Sequence, residues 1–267
     1  MEITKRGCTI KLTGPIEPGD ESRLREIIRK PLSQPVSEVW FYHTLLLDSL
    51  GGDVSEALRL ATLVREAILT TSTWRLDGNP TNASGTGKPP SMPREHWPCV
   101  SACFLVWVAG AERTSWSGKL PAYGNVGIGL HRPYFAQSVY RQPPNKVAEL
   151  QQAMTASVTE YLRREQISEF FIQKMLERSS REVYWLNESG DEFALNGRAP
   201  WFEEMMIARC NFDPAYDRAM EARMVRRSQD GRREDDAEQR RWLNWKQTYN
   251  ACEYFTRIVE QRFLGRR

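Results

Sequence analysis

Residues 44–69 read TLLLDSLGGDVSEALRLATLVREAIL, and this stretch decides the fold. The apolar run that ends at Leu47 belongs to a β-rich buried segment, Val36 to Leu47, with no alternating polar face, as a strand covered on both sides requires. Ser49-Leu50-Gly51-Gly52 closes it. Asp53-Val54-Ser55-Glu56 then places a capping aspartate three residues before a glutamate, so the pair predicts a capping box at a helix start. Val54, Ala57, Leu58, Ala61, Val64 and Ile68 follow as one apolar face.

Outward from this strand-turn-helix unit the same alternation continues. Cys8 to Leu12 predicts a strand, Asp20 to Ile28 a helix carrying Leu24, Ile27 and Ile28, and Thr71 to Leu76 another short strand. Asp77 to Pro98 is rich in Gly, Pro, Asn and Ser and predicts a long mobile loop, a potential lid beside whatever follows it. Cys99 to Ala109, small and apolar throughout, predicts a buried helix, and Val126 to Leu130 a glycine-rich strand ending at His131. Helices are expected from Asn145 and over Ser168 to Leu176, then a strand at Tyr184-Trp185-Leu186. Alternating strands and helices predict an α/β fold with a mainly parallel sheet. From Asp213 the composition turns to Arg, Glu, Asp and Gln, which predicts two domains: residues 1–212, and a charged helical extension over 213–267.

Composition narrows the function classes. The net charge is +3, and 13 basic against 10 acidic residues from Asp213 onward leave 24 of each upstream. That is too weak a basic footprint to expect nucleic acid as a partner. The longest apolar stretch, Ala102 to Ala111, is about half a bilayer span, and the start at Met1 lacks the basic-then-apolar order of a secretory signal, so a cytoplasmic chain without a membrane partner is expected. Five cysteines, Cys8, Cys99, Cys103, Cys210 and Cys252, are too scattered for a disulfide scaffold. Cys99 and Cys103 lack a second Cys or His pair at ligand spacing, so no metal is expected, and small packing thiols are the default. No phosphate-cradling loop is present, so neither ATP hydrolysis nor any cofactor is expected.

Three features carry chemistry. Ser101 stands where a polar segment gives way to a buried helix, so its hydroxyl is either a simple N-cap or a nucleophile backed by free amides and the helix dipole. Gly51-Gly52, between a strand and a capped helix, is either a tight turn or a place where bare backbone amides approach an oxyanion. His131, at a strand end, is the best general-base candidate of three histidines. His43 falls inside a strand and His96 inside the loop.

The order Gly51-Gly52, Ser101, His131, with Asp48-Ser49-Leu50 before the glycines and Gly127 to Pro133 around the histidine, resembles the Clp-type serine peptidases within the wider crotonase-like fold. The likeness covers roughly Cys8 to Phe202, and the absence of G-x-S-x-G around Ser101 argues against an α/β-hydrolase. The resemblance implies repeated β-β-α units and Ser101 as nucleophile on a peptide carbonyl. It further implies His131 as base and the backbone amides of Gly52 and Ala102 as oxyanion hole. It also implies protein or peptide substrates and a ring-shaped homo-oligomer with the helices after Pro144 at subunit contacts. An unfoldase partner remains open.

The sequence departs from that pattern in three places. Leu50 replaces the family's proline, Cys99 and Cys103 bracket the serine, and Val183 stands where the family places its aspartate. Glu182 and Ser180 are weak substitutes, which leaves either a Ser-His dyad or a third residue from elsewhere. The rivals are a non-proteolytic crotonase-like protein with acyl-CoA or thioester chemistry, or an inactive oligomeric scaffold.

Overall fold

The structure is a computed structural model that describes residues 1–6, 9–29, 43–75, 95–96, 98–115, 118–120, 124–135, 138–179, 182–186, 191–229 and 237–264. Cys8, residues 36–42, most of the expected 77–98 loop and Ser180 lie outside them. The chain is α/β. It begins β1 (Glu2–Arg6), β2 (Thr9–Thr13), α1 (Asp20–Arg29), β3 (Thr44–Asp48), α2 (Val54–Glu66), β4 (Thr70–Ser72) and continues with β5 (Trp74–Arg75), β6 (Glu95–His96), β7 (Pro98–Val100), α3 (Ala102–Val108). After these come β8 (Glu112–Thr114), β9 (Gly118–Leu120), β10 (Gly124–Leu130), α4 (Pro144–Arg164), α5 (Glu169–Glu177), β11 (Tyr184–Trp185), α6 (Glu192–Leu195) and β12 (Gly197–Arg198). Three helices end the chain, α7 (Pro200–Cys210), α8 (Pro214–Gln229) and α9 (Ala237–Leu264).

Six strands form one mixed sheet in the order β1-β2-β3-β4-β8-β12, parallel from β2 to β8 and antiparallel at both edges. Its centre is the apolar run of the opening stretch, with Leu45, Leu46 and Leu47 all buried. A second sheet runs β11-β10-β7, with β7 and β10 parallel. The two sheets touch at Ser49, whose amide donates to the Pro98 carbonyl at 2.9 Å and whose carbonyl accepts from Val100 at 3.0 Å.

The capping box forms by half. Asp53 accepts the Glu56 amide at 2.7 Å, as expected of an N-cap. The Glu56 carboxylate does not reach back. It takes the Glu21 amide at 2.7 Å and the Arg59 guanidinium, tying α2 to the first turn of α1. Burial raises its pKa, but the Glu21 amide and Arg59 outweigh burial and the net shift is downward.

The other end of α2 explains the C-terminal extension. Ile68 follows the helix at φ 50°, an unusual setting for a β-branched residue, and the last carbonyls need donors. Arg257 donates to the Ile68 carbonyl and Gln261 to that of Ala67 at 2.9 Å, both from α9. Arg257 is 1% exposed, paired with Glu253 at 2.8 Å and stacked over Phe202 at 4.9 Å. Phe212 and Tyr249 complete a second core with Ile68, Phe202 and Met206. The α9 helix is therefore packed into the α/β unit. Arg257→Leu should take the donor from the Ile68 carbonyl and leave the half-buried Glu253 carboxylate with the Tyr249 hydroxyl at 2.7 Å, lowering unfolding free energy by about 3 kcal/mol, measured by urea denaturation. An unchanged midpoint would mean the tail adds no stability through this contact.

His43 sits at the same junction, in a cavity of about 280 Å³ shared with Glu112, Arg198, Glu253 and Arg257. Burial, then the Arg257 charge, lower its pKa from 6.5 to about 4, with Glu253 opposing. The unfolded chain thus takes up a proton between pH 6.5 and 4 that the folded chain refuses. Stability is fully present above 6.5 and falls as pH drops through that window. His43→Gln should remove up to about 3 kcal/mol of this acid-side loss, read from denaturation midpoints at pH 7 and pH 4.5.

Candidate functional site

The expected buried helix over Cys99 to Ala109 begins three residues late. Pro98–Val100 pairs with Gly127–Gly129 as β7, and the helix starts only at Ala102. Ser101 is the single residue between strand and helix, at φ 59° and ψ −123°, a setting that costs a non-glycine residue about 1–3 kcal/mol. It is a sharp elbow. Its amide donates to the Gly129 carbonyl at 3.1 Å, and its side chain makes no capping hydrogen bond. The simple N-cap role therefore does not describe it.

The glycine turn lies directly against this elbow. A Cβ placed on Gly51 would stand 2.7 Å from the Ser101 Cβ and 3.1 Å from its Oγ. Gly51 adopts φ 108° and Gly52 φ 146°, both open to glycine and rarely to other residues. The Gly51 carbonyl accepts from Ile16 at 2.8 Å and Asp53 donates to the Ile16 carbonyl at 2.9 Å, so the turn is pinned on both sides of Gly52. The Gly52 amide itself has no hydrogen-bond partner among the described residues. The Ala102 amide is the first of α3, where no intrahelical partner exists.

His131 follows β10 by one residue and is 6% exposed. Since β7 and β10 run parallel with Val100 opposite Gly129, Ser101 and His131 lie just beyond the carboxyl ends of neighbouring strands, where active sites of open α/β sheets gather. The ring is fixed by Nδ1, 2.9 Å from the Arg132 carbonyl. A carbonyl only accepts, so Nδ1 carries the proton and the neutral ring's lone pair is on Nε2. The Ser101 hydroxyl has no hydrogen bond to His131 or to any other described residue. Tyr134 packs 5.5 Å from the imidazole and is 51% exposed, while Leu50, beside the glycines, is 73% exposed.

Val183 flanks the strand that ends just before His131. Gly129 pairs with Trp185 and Leu130 with Tyr184, and one further step in this antiparallel register brings Val183 opposite His131. Val183 also packs on Gly129, where a Cβ would meet its Cγ1 at 2.6 Å. Glu182 is exposed and its carboxylate turns to the Ser179 amide at 3.4 Å. No carboxylate among the described residues hydrogen-bonds the imidazole, and the Arg132 carbonyl orients it instead.

The cysteines depart from the expectation of packing thiols. Cys99 is joined to Cys103 across Ser101, and Cys210 to Cys252 between α7 and α9. The count alone carried no such pairing, because a bridge depends on Cα atoms meeting at 5.2 Å and 5.7 Å, a tertiary fact.

A cavity of about 460 Å³ lies elsewhere, lined by Arg65, Glu66, Tyr161, Glu165 and Trp201. Its Arg65 is paired with Glu165 at 2.7 Å and its Arg209 with Glu260 at 2.6 Å, so these cations are already compensated. No protein-family model matches the chain, and no curated protein matches its sequence.

Proposed function

We propose that the chain is a Clp-like, crotonase-fold serine peptidase acting on protein or peptide substrates. Ser101 attacks the scissile carbonyl, His131 Nε2 accepts its proton and returns it to the leaving amine, and the Gly52 and Ala102 amides hold the oxyanion. The observation that carries this reading is the strained Ser101 elbow with Gly51 pressed against its side chain. A hydroxyl held at such a backbone setting, beside a bare glycine turn, is arranged for attack rather than for capping. With Val183 in the third position, His131 works as a dyad partner oriented by a backbone carbonyl. No cofactor is needed. A homo-oligomeric ring belongs to the same proposal.

A second reading is favoured by one observation. The hydroxyl of Ser101 is not bonded to His131, as suits a non-proteolytic member with acyl-CoA or thioester chemistry, or a scaffold. Catalytic hydrogen bonds often tighten only in the substrate complex, which is why we prefer the peptidase. A fluorophosphonate probe decides: an adduct located on Ser101 by peptide mass mapping is expected. A folded chain left unmodified, or modified elsewhere, would overturn the nucleophile.

No helix among the described residues is long and apolar enough to cross a membrane. The cytoplasmic placement expected from the sequence fits poorly with two disulfides, and we place the working chain in an oxidising compartment.

A further inference from the structure

We propose that the Cys99–Cys103 disulfide is a positioning clamp for the Ser101 elbow, so that the hydroxyl is held for attack only in the oxidised chain. The inference rests on Ser101 as nucleophile and adds how that site is held and regulated.

Two constraints meet at residue 101. Upstream, pairing of Pro98–Val100 with β10 and the Val100 amide bond to Ser49 keep the chain extended, so the helix cannot continue backward through Val100. Downstream, the disulfide holds the Cα atoms of Cys99 and Cys103 at 5.2 Å. Five residues in extended form would separate those atoms by roughly 13 Å, so the cross-link forbids relaxation of the turn into strand. Ser101 is left to absorb the whole change of direction, which it does at φ 59°.

The clamp also replaces a missing bond. An N-cap side chain ordinarily ties the cap to the second or third helical amide. Ser101 makes no such bond, leaving its oxygen free, and the covalent link from Cys99 to Cys103 spans the same first turn. Both cysteines are 0% exposed, so reduction requires the elbow to open. A dithiol then supplies the two electrons. One of its thiolates attacks a cysteine sulfur, expelling the other cysteine, which takes a proton. Its second thiol attacks the mixed disulfide, freeing the first cysteine as a thiol and closing the reagent into its own disulfide.

The test uses the full chain carrying Cys210→Ser and Cys252→Ser, so that only one bridge responds. It is compared oxidised, reduced by dithiothreitol, and reoxidised, with thiols counted by alkylation and mass spectrometry. Fluorophosphonate labelling of Ser101 should slow at least about tenfold on reduction and recover on reoxidation, as expected of a misplaced nucleophile. Amide hydrogen exchange over residues 100–104 should rise by about tenfold or more in the reduced form and also recover. Cys99→Ala/Cys103→Ala, assayed below its melting temperature, should match the reduced chain in both readouts. Equal labelling rates in the oxidised and reduced forms would overturn the clamp, and so would unchanged exchange. Absence of labelling in the oxidised form would instead overturn Ser101 as nucleophile, with exchange still deciding whether the elbow is clamped.

Discussion

Ser101→Ala is expected to abolish fluorophosphonate labelling and to lower peptide hydrolysis by at least about 10³-fold, while the melting temperature stays the same or rises. The two readouts diverge because of the backbone at this position. Alanine carries the same Cβ penalty at φ 59° as serine, so the elbow is no worse strained, and no capping hydrogen bond is lost because none is made. His131→Ala should cost about 10²- to 10⁴-fold, the usual contribution of a positioned general base. Its stability will fall as well, since a buried ring packed beside Tyr134 is removed. Hydrolysis that survives Ser101→Ala within tenfold would remove the serine nucleophile from the mechanism. Loss of hydrolysis in His131→Ala without loss in Ser101→Ala would point to base catalysis on a bound water.

The parts of this site that were legible in the sequence are those fixed by local chemistry. Asp53 after Gly51-Gly52 announces the start of α2 because a short carboxylate satisfies a free amide three residues on, and it does so at 2.7 Å. Ser101 could be located at a junction because the polar, glycine- and proline-rich stretch ends just before it. Its bond to the strand was less visible. Cys99 and Val100 belong to β7, yet in an unbroken apolar run nothing in the period separates a buried strand from a buried helix.

The illegible parts depend on partners distant in the chain. Glu56 looks like the second half of a capping box, but Glu21 and Arg59 offer it an amide and a guanidinium that compete with its own N-terminus. Arg257 and Gln261 look like solvated residues on a charged tail. They are buried because the carbonyls of Ile68 and Ala67, about 190 residues earlier, lack donors. The position of Val183 opposite His131 is a register fact. The sequence has valine where the resemblance would put a carboxylate, and the Arg132 carbonyl, 2.9 Å from Nδ1, holds the imidazole.

Gly52→Ala tests the other side of the proposed cleft and is expected to be severe for a different reason. At φ 146°, its new Cβ would stand 2.2 Å from the Ile16 carbonyl oxygen and 2.5 Å from the Ile16 nitrogen, both backbone atoms that cannot rotate aside. The turn must then move. Moving it breaks the Ile16 to Gly51 and Asp53 to Ile16 hydrogen bonds and draws Asp53 away from the Glu56 amide. The combined strain and lost cap should lower unfolding free energy by about 3 kcal/mol or more. In the fraction that remains folded, displacement of the Gly52 amide should reduce turnover by a further 10²- to 10³-fold or so, the effect of one lost oxyanion donor. Gly51→Ala is strained as well, at φ 108°, but its Cβ would fall on the elbow, 2.7 Å from the Ser101 Cβ and 3.0 Å from the Val100 carbonyl oxygen, and leave the Ile16 backbone untouched. Both its stability and, in the folded molecules, its turnover should fall, the second through a displaced Ser101, measured as kcat beside the urea midpoint. If Gly51→Ala and Gly52→Ala both lost stability while the folded molecules kept full turnover, the glycine turn would be a structural corner and the oxyanion assignment would fail.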